Sequence, residues 1–319
     1  MNPRAVFALL GALALALFVV GEVRRRIGPT PGGRRFFRHP PAAWGLFILT
    51  FFVALALAAR WVAPYGPSVT LEIVALKSRP PSLLHPLGTD LYSRDVWSRL
   101  VYGSRVSLSI GALAMLVAVT VGAVVGAVAG YVRRWVDTAL MRMVDVGLAV
   151  PRIFLMLMAI ALWEHLPLTL LVLLIGLTGW FGTSRLVRAE VLTLRERDFV
   201  VAARAAGAGP TRIVLRHVLP NVAAPIIVSA ALGIGNVMLL EAGLSFLGIG
   251  VPPPMPSWGN MIADGASQLA TAPWTTVFPG LAIALVVMAL HAVGDALRDA
   301  LDPRREAEWD TDGGTGGTL

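Results

Sequence analysis

The sequence has 319 residues, of which 56% are hydrophobic and only 14% are charged. This balance, with a mean hydropathy of +0.72, excludes an ordinary soluble domain and indicates an all-α, polytopic membrane protein. The chain has no cysteine, which excludes disulfides, zinc–thiolate sites and cysteine nucleophiles. The net charge of +8 comes mostly from arginines in short loops between apolar segments, which indicates membrane orientation and not nucleic-acid binding.

The sequence also argues against catalysis by this chain. Its single lysine, Lys77, follows no glycine-rich turn, whereas a Walker A loop needs such a lysine to reach nucleotide phosphates. If the chain takes part in energised transport, the energy must therefore come from another subunit or from an ion gradient. The five histidines are scattered without metal-ligand spacing, so we expect no catalytic residues, cofactor or metal.

Seven apolar segments are long enough to cross a membrane as helices, which takes about 20 residues each. The first could instead be a signal peptide, but the absence of a small-x-small cleavage site after it favours an uncleaved extra helix. Pro151 predicts a kink within the fourth segment. In chain order the predicted spans are 5–21, 43–59, 106–132, 140–163, 166–184, 222–240 and 275–293.

Arginine counts predict the orientation of these spans. The loop 22–41 carries six arginines and no lysine, so we expect it in the cytoplasm. The segment 61–104 is longer and has fewer basic residues, so we expect it outside. Alternation then places 133–134, 188–216 and 295–319 inside, and 164–165 and 251–256 outside. We expect the glycine-rich end of the chain, 304–319, to be a disordered cytoplasmic tail.

Two patterns within the spans each allow two interpretations. Three glycines spaced by four residues suit close helix packing, which we favour within the chain over contact with a second membrane subunit. They are Gly122, Gly126 and Gly130. Arg142, Asp145 and Arg152 share one helical stripe. Because charges at membrane depth need partners, we favour pairing between helices over a position in a transport pathway.

A charged insert between two apolar spans is the most informative part of the chain. Its sequence, DFVVAARAAGAGPTRIVLRHVLP at 198–220, predicts an amphipathic helix, a Gly-Pro turn and a second short helix. Asp198 is the predicted N-cap of the first helix and Gly207 its C-terminal stop. Pro210 suits the first turn of the second helix, which we expect to end near Leu219 and Pro220.

The composition of this insert suits attachment to a partner outside the membrane. Ala202 and Ala203 are small enough to let a short helix seat deeply in a groove. Arg204 can meet acidic groups on that partner. A solvated basic loop that only sets the topology is the alternative interpretation.

Four motifs stand in order along the chain. The first is LGTD at 87–90 with RD at 94–95 and SR at 98–99, and the second is the insert at 198–220. The third is EAGLSFLGIG at 241–250 with PSWGN at 256–260, and the fourth is GDALRDALDP at 294–303. From about residue 38 to 303 the chain thereby resembles the inner-membrane permeases of dipeptide, oligopeptide and nickel ABC importers. In that family the second motif is the EAA loop, which grips the ATPase subunits.

The resemblance implies a six-helix ABC-importer permease core preceded by an extra N-terminal transmembrane helix. The parts are 1–41, the extra helix and a basic loop; 42–104, the first core helix and an external segment; 105–303, the permease domain; and 304–319, the tail. It makes 188–219 the docking loop, hereafter the docking segment. Its implied ATPase-docking residues are Asp198, Ala202, Ala203, Arg204, Gly207, Leu219 and Pro220.

The resemblance also implies partners. They are a second, similar permease, two cytosolic ABC ATPases and an external solute-binding protein, in an inner membrane whose lipid surrounds the helices, with no nucleic acid. The pathway for peptides, nickel or other small solutes lies between the two permeases. ATP binding then switches it between inward and outward openings.

The chain departs from the family pattern at three residues. Val201 takes the place of the glutamate that names the EAA loop, which puts one polar contact to the ATPase in doubt. His217 replaces an aliphatic residue, and Ser93 replaces a common glycine. The extra helix at 5–21 is also unusual in this subgroup.

Asn236 and Glu241 are candidate pathway residues near the external end of the fifth core span. Glu241 either bonds to a neighbouring helix or contacts the amino group of a passing peptide.

Two other classes of protein remain as alternatives. An ion-coupled secondary transporter would need charges deep in the membrane and internal repeats, and the sequence has no convincing repeat. A membrane-embedded enzyme would need a catalytic cluster. The nearest candidate is His291 with Asp295, four residues apart on one helix face.

Overall fold

The structure is a computed structural model that describes residues 3–72, 75–132, 134–163 and 166–301. Within these ranges the chain is helical, with one isolated β-bridge between Thr89 and Asp95. The predicted disordered tail and the turn at 164–165 lie outside the described residues. The helices are α1 (Pro3–Ile27), α2 (Pro31–Arg38), α3 (Pro40–Leu57), α4 (Ala59–Val62), α5 (Val96–Val132), α6 (Arg134–Ala149), α7 (Arg152–Ile160), α8 (Leu168–Leu177), α9 (Trp180–Leu194), α10 (Asp198–Ala205), α11 (Pro210–Ile213), α12 (Leu219–Phe246), α13 (Trp258–Ala266) and α14 (Trp274–Leu301), with a π turn at Val214–Val218.

Every predicted span corresponds to helical structure. Among the described residues, six spans are apolar and long enough to cross a membrane: Ala5–Ile27, Pro40–Leu57, Val96–Val132, Leu168–Leu194, Pro210–Phe246 and Trp274–Leu301. The remaining predicted span is α6 and α7, which are bent by 87° across a short break. Pro151 stands at that break, because proline lacks the N–H that would continue the helix. The predicted kink is confirmed and is sharper than a bend within one helix.

Helix α5 begins ten residues before the predicted span, at Val96 and not at residue 106. The predicted boundary at 104–105 therefore falls within a helix. Asp95 caps this helix, since its Oδ2 accepts the backbone N–H of Ser98 at 2.8 Å. The first turns carry polar side chains that lower their hydropathy, yet Ser98 and Arg99 are buried against other parts of the chain.

Gly122, Gly126 and Gly130 of α5 face α9. A Cβ on Gly122 would lie 2.9 Å from the carbonyl oxygen of Trp180, and one on Gly126 would lie 2.5 Å from that of Ser184. Because larger residues would push the two backbones apart, the spacing serves close packing within the chain. This confirms the interpretation that we favoured.

Ion pairs also join α6 to α9. Asp145 accepts from Arg185 at 2.5 Å, and Asp137 accepts two bonds from Arg188 at 2.5 and 2.7 Å. Arg142 lies 3.9 Å from Asp145 on the same helix. The predicted pairing between helices is confirmed for Asp145.

Loop contacts divide the bundle into two ends. At one end, Arg195 donates to the carbonyls of Gly130 and Tyr131 at 3.3 and 3.2 Å, beside the docking segment. There α2 also packs on the last turns of α14. At the opposite end, Trp274 Nε1 donates to the Thr89 carbonyl at 3.1 Å. The grouping of loops agrees with the predicted alternation, and we call the two ends the docking end and the far end.

Helix α1 lies along α3 and α4 and contributes little to the core. Only 11% of its apolar window is buried, through a stripe of alanines that includes Ala12 and Ala16. Large side chains such as Phe7 and Phe18 face outward. A helix that satisfies its own backbone and exposes apolar side chains suits contact with lipid.

Candidate docking segment and transport cavity

Within the docking segment, residues 198–207 fold as a short helix with a glycine stop. Helix α10 begins at Asp198, and Arg197 occupies the N-cap position, so the predicted N-cap is wrong by one residue. Gly207 has φ +81°, which favours glycine. Its N–H bonds to the Arg204 carbonyl, and the next N–H bonds to the Ala203 carbonyl, both at 3.0 Å. This Schellman pattern confirms the predicted stop.

The second helix of the docking segment does not end where we predicted. Helix α11 begins at Pro210, as expected, but the chain stays helical through Leu219 and Pro220 into α12. The π turn makes this continuity possible: Leu219 N–H bonds to the Val214 carbonyl, five residues back. A wider turn relieves the clash between a proline ring and the carbonyl four residues before it. The prediction of a helix end at Leu219 and Pro220 is therefore wrong.

Buried aliphatic residues anchor the docking segment to the bundle. Val200, Ile213 and Val218 are almost fully buried, and they pack with Val187 and Val191 of α9. Sequence reasoning missed this anchor, although branched apolar residues within a charged insert are a usable signal. The packing fixes which side of the segment faces away from the bundle.

The outward side carries most of the predicted docking residues. Asp198, Ala202, Arg204, Gly207 and Pro220 are exposed, while Ala203 and Leu219 are half-buried. Phe199 and Val201 are also exposed, by 42% and 48%. The valine in the place of the family's glutamate thus presents an apolar side chain outward.

A cavity of about 1120 Å³ lies next to the docking segment. Its longest wall is α12, from Pro220 to Val237, and α5, α7, α9 and α14 complete it. Its charged lining residues are Arg152, Glu190 and Arg298. Asn236, one of the two candidate pathway residues, also lines this cavity.

Glu241 lies outside the cavity lining, so the structure does not bring it together with Asn236. It is 1% exposed, and its Oε1 accepts the hydroxyl hydrogens of Ser245 and Ser257, both at 2.8 Å. Close packing surrounds it, since a Cβ on Gly259 would lie 3.1 Å from its carboxylate. This geometry matches the helix-bonding interpretation of Glu241.

The first motif and the helix after the third meet at the far end through arginines and carboxylates. Asp90 Oδ2 accepts from Arg94 Nε at 2.6 Å and from Arg99 Nη1 at 2.7 Å. Asp264 Oδ2 accepts from the same two arginines at 2.8 and 3.0 Å. We call these four residues the far-end network. Sequence analysis singled out Asp90, Arg94 and Arg99 but not Asp264, their partner on α13.

Other contacts fasten the third motif to α5. Trp258 donates from its backbone to Ser107 Oγ at 3.0 Å and from Nε1 to the Leu100 carbonyl at 2.9 Å. Ser93, in the place of a common glycine, has φ +57°, which explains why glycine suits that position. Both motifs therefore serve to hold the far end together.

The candidate His291–Asp295 pair does not form. His291 Nδ1 bonds instead to the carbonyl of Val287, one turn back, at 2.8 Å. Within the part of the chain that the structure describes, no three potential metal-ligating side chains gather.

These features define a polytopic, all-α permease, with an exposed helical segment at one end and a helix-lined cavity beside it. The chain belongs to the family of binding-protein-dependent transport system inner membrane components, whose family model matches residues 122–307. A second model, for the N-terminal membrane domain of oligopeptide transport permease C, matches residues 33–81. The protein is thus a multi-pass inner-membrane protein.

Curated relatives match over most of their length. A putative peptide transport system permease protein of Brucella abortus is 41% identical over 288 residues, which cover 88% of this chain and 95% of the relative. The dipeptide transport system permease protein DppC of Alkalihalophilus pseudofirmus is 42% identical over 264 residues, with 82% and 86% covered. A putative peptide permease protein of Brucella suis is 41% identical over 275 residues, with 85% and 90% covered.

Proposed function

We propose that this chain is a permease subunit of an ATP-driven peptide importer and forms half of the translocation pathway. The relatives above are named for peptides or dipeptides, which supports peptides as the substrate class, and we do not retain nickel. The proposed partners are a second similar permease, two ABC ATPases and an external solute-binding protein. Membership of a binding-protein-dependent family weighs against the ion-coupled secondary transporter.

One observation carries this proposal. The helical span Pro210–Phe246 runs without a break from the docking segment into the longest wall of the cavity. A push on the docking segment therefore moves the cavity wall directly, because a continuous helix transmits displacement along its axis. The buried anchor of Val200, Ile213 and Val218 makes α10 move with it.

The docking residues that we propose are Asp198, Ala202, Ala203, Arg204, Gly207, Leu219 and Pro220. The exposed side of α10, with its small alanine side chains, would seat in a groove of the ATPase, where Arg204 would contact acidic groups. Phe199 and Val201 add apolar contact area in place of the missing glutamate. ATP binding would favour one arrangement of the ATPases, and the docked helices would follow it.

Reconstitution tests this function. The tagged chain and its co-purifying partners, in proteoliposomes with the binding protein outside, should accumulate a labelled dipeptide only with hydrolysable ATP inside. Dissipating the proton gradient should leave uptake unchanged. Uptake that needs an imposed ion gradient but no ATP would contradict the proposal and support the secondary transporter.

The proposed orientation puts the docking end in the cytoplasm. Since the chain has no cysteine, single-cysteine variants can be labelled without background. Leu83→Cys, at a far-end side chain that is 93% exposed, should react with an impermeant maleimide in intact cells. Arg204→Cys should react only after permeabilisation. The reverse pattern would invert the topology and remove the ATPase-docking role.

A further inference from the structure

Arg152 differs in its partners from Arg185 and Arg188, the two arginines of the neighbouring helix α9 that bond to α6. Arg185 and Arg188 each have an aspartate partner on α6. Among the described residues, no carboxylate lies within ion-pairing distance of Arg152. Its Nε donates to Thr178 Oγ1 at 3.3 Å, and its Nη2 donates to the Ile175 carbonyl. Both acceptors are neutral, so the described residues offer this charge no counter-ion.

The surroundings of Arg152 leave its guanidinium open to the cavity. Two of its five N–H donors are used in those bonds. Gly179 makes room for the group, since a Cβ there would lie 2.6 Å from Arg152 Nη2. Arg152 and Gly179 both line the cavity.

Arg152 occupies the deep part of this cavity. Thr183 and Glu190 line the same wall along α9, and the helix rise places Glu190 about 15 Å nearer the docking end than the start of α9. Arg298 lines the cavity near Pro220, also at the docking end. Among the described residues, the deep part therefore has a cation without a carboxylate beside it.

We propose that Arg152 binds the C-terminal carboxylate of a peptide as it passes through the cavity. This inference rests on the function proposed above. A guanidinium presents planar donors that match a carboxylate, and such charge-assisted bonds are stronger than bonds between neutral groups. An uncompensated cation at membrane depth is costly, and an anionic substrate group offsets that cost during transit.

The test compares two labelled peptides of one sequence, one with a free C-terminal carboxylate and one amidated. Uptake is measured with the reconstituted complex and normalised to assembled transporter. The binding protein is the same in every experiment. Its own preference between the two peptides therefore cancels when the ratio of the two uptake rates is compared between variants. We expect Arg152→Gln to lower the ratio of free to amidated uptake on the order of 10-fold, the effect of losing a hydrogen bond to a charged group.

Two variants separate this role from a structural one. Arg298→Gln removes a cation from the docking end of the same cavity and should leave the ratio unchanged. Thr178→Val removes a support of Arg152 but keeps its charge, so any loss should affect both peptides equally. Arg152→Lys, which keeps a positive charge without the fork of donors, should give an intermediate ratio and serves as the test if Arg152→Gln does not assemble.

Two results would overturn the proposed role of Arg152. An equal loss of both peptides in the Arg152 variants would reduce Arg152 to a cap on the end of α8 and overturn the proposal. A ratio lowered equally by Arg298→Gln would replace it with a diffuse positive potential. Failure of the unmodified complex to transport either peptide would instead overturn the proposed function, which distinguishes the two failures.

Discussion

Replacement of Gly207 by valine is expected to reduce peptide-stimulated ATP hydrolysis sharply while the permease remains inserted in the membrane. Gly207 has φ +81°, and no atom lies within 4 Å of a Cβ placed there, so the cost arises in the backbone and not from a clash. A left-handed conformation costs a residue with a Cβ about 1–2 kcal/mol, and more for a β-branched one. That cost lowers the ratio of the native docking geometry to its alternatives by about tenfold or more.

Gly209 offers a matched control two residues along the same segment. It has φ −70°, an ordinary value for any residue, and a Cβ there would also meet nothing within 4 Å. Gly209→Val should therefore keep coupling, and Gly207→Asn should keep most of it because asparagine tolerates φ above zero. ATPase activity of the purified complex, with and without substrate-loaded binding protein, measures all three. Full stimulation in Gly207→Val would contradict the assignment of the docking segment.

Replacement of Asp90 by alanine should destabilise the far end by about 3–5 kcal/mol, the usual cost of removing one partner from a buried ion pair. Arg99, with a side chain 5% exposed, would lose its Nη1 partner at 2.7 Å and keep only Asp264. The Asp90 carboxylate also accepts the backbone N–H groups of Tyr92 and Arg94 at 2.9 and 2.8 Å, and these would lose their acceptor. Thermal unfolding of the purified protein in detergent measures the loss.

Asp264 and Arg99 provide the controls for this experiment. The Asp264 side chain is 34% exposed, so water replaces it more easily and Asp264→Ala should cost less than Asp90→Ala. Adding Arg99→Leu to Asp90→Ala removes the stranded charge and should restore part of the stability. Equal losses in the two aspartate variants would contradict the greater cost that we assign to the buried Asp90, and no loss in Asp90→Ala would mean that the far-end network does not stabilise this end.

The spans were predictable because lipid leaves few choices to the chain. Twenty apolar residues in sequence must form a helix there, and the arginine-poor and arginine-rich loops sorted into the same two groups that the structure has. The break at Pro151 and the stop at Gly207 were predictable for a similar reason: each residue type carries its own backbone restriction.

Errors came where tertiary packing overrides local preference. Hydropathy placed the start of α5 ten residues late because Ser98 and Arg99 are polar, yet both are buried by partners elsewhere in the chain. Pro220 suggested a helix end, but the π turn before it accommodates the ring. Both outcomes depend on neighbours that no local pattern reveals.

Within the candidate sites, contacts between segments distant in the chain could not be predicted from the sequence. Arg94 and Asp264 are 170 positions apart, and the sequence around one residue does not indicate that the other is its partner. The anchoring role of Val200 depends on α9, and the separation of Asn236 from Glu241 depends on how α12 packs. The motifs indicated which residues matter, whereas their partners followed only from the folded chain.

The sparsely packed helix α1 affects which side of the membrane the start of the chain occupies. With α6 and α7 counted as one crossing, α1 is the first of seven, so we expect its first turn and the last turn of α14 to lie in opposite compartments. Few core side chains rest against α1, and the family models match from residue 33 onward, so this crossing is an addition that leaves the interior undisturbed. We therefore expect a tag before α1 and a tag after α14 to lie on different sides of the membrane, although both flank the same helical bundle.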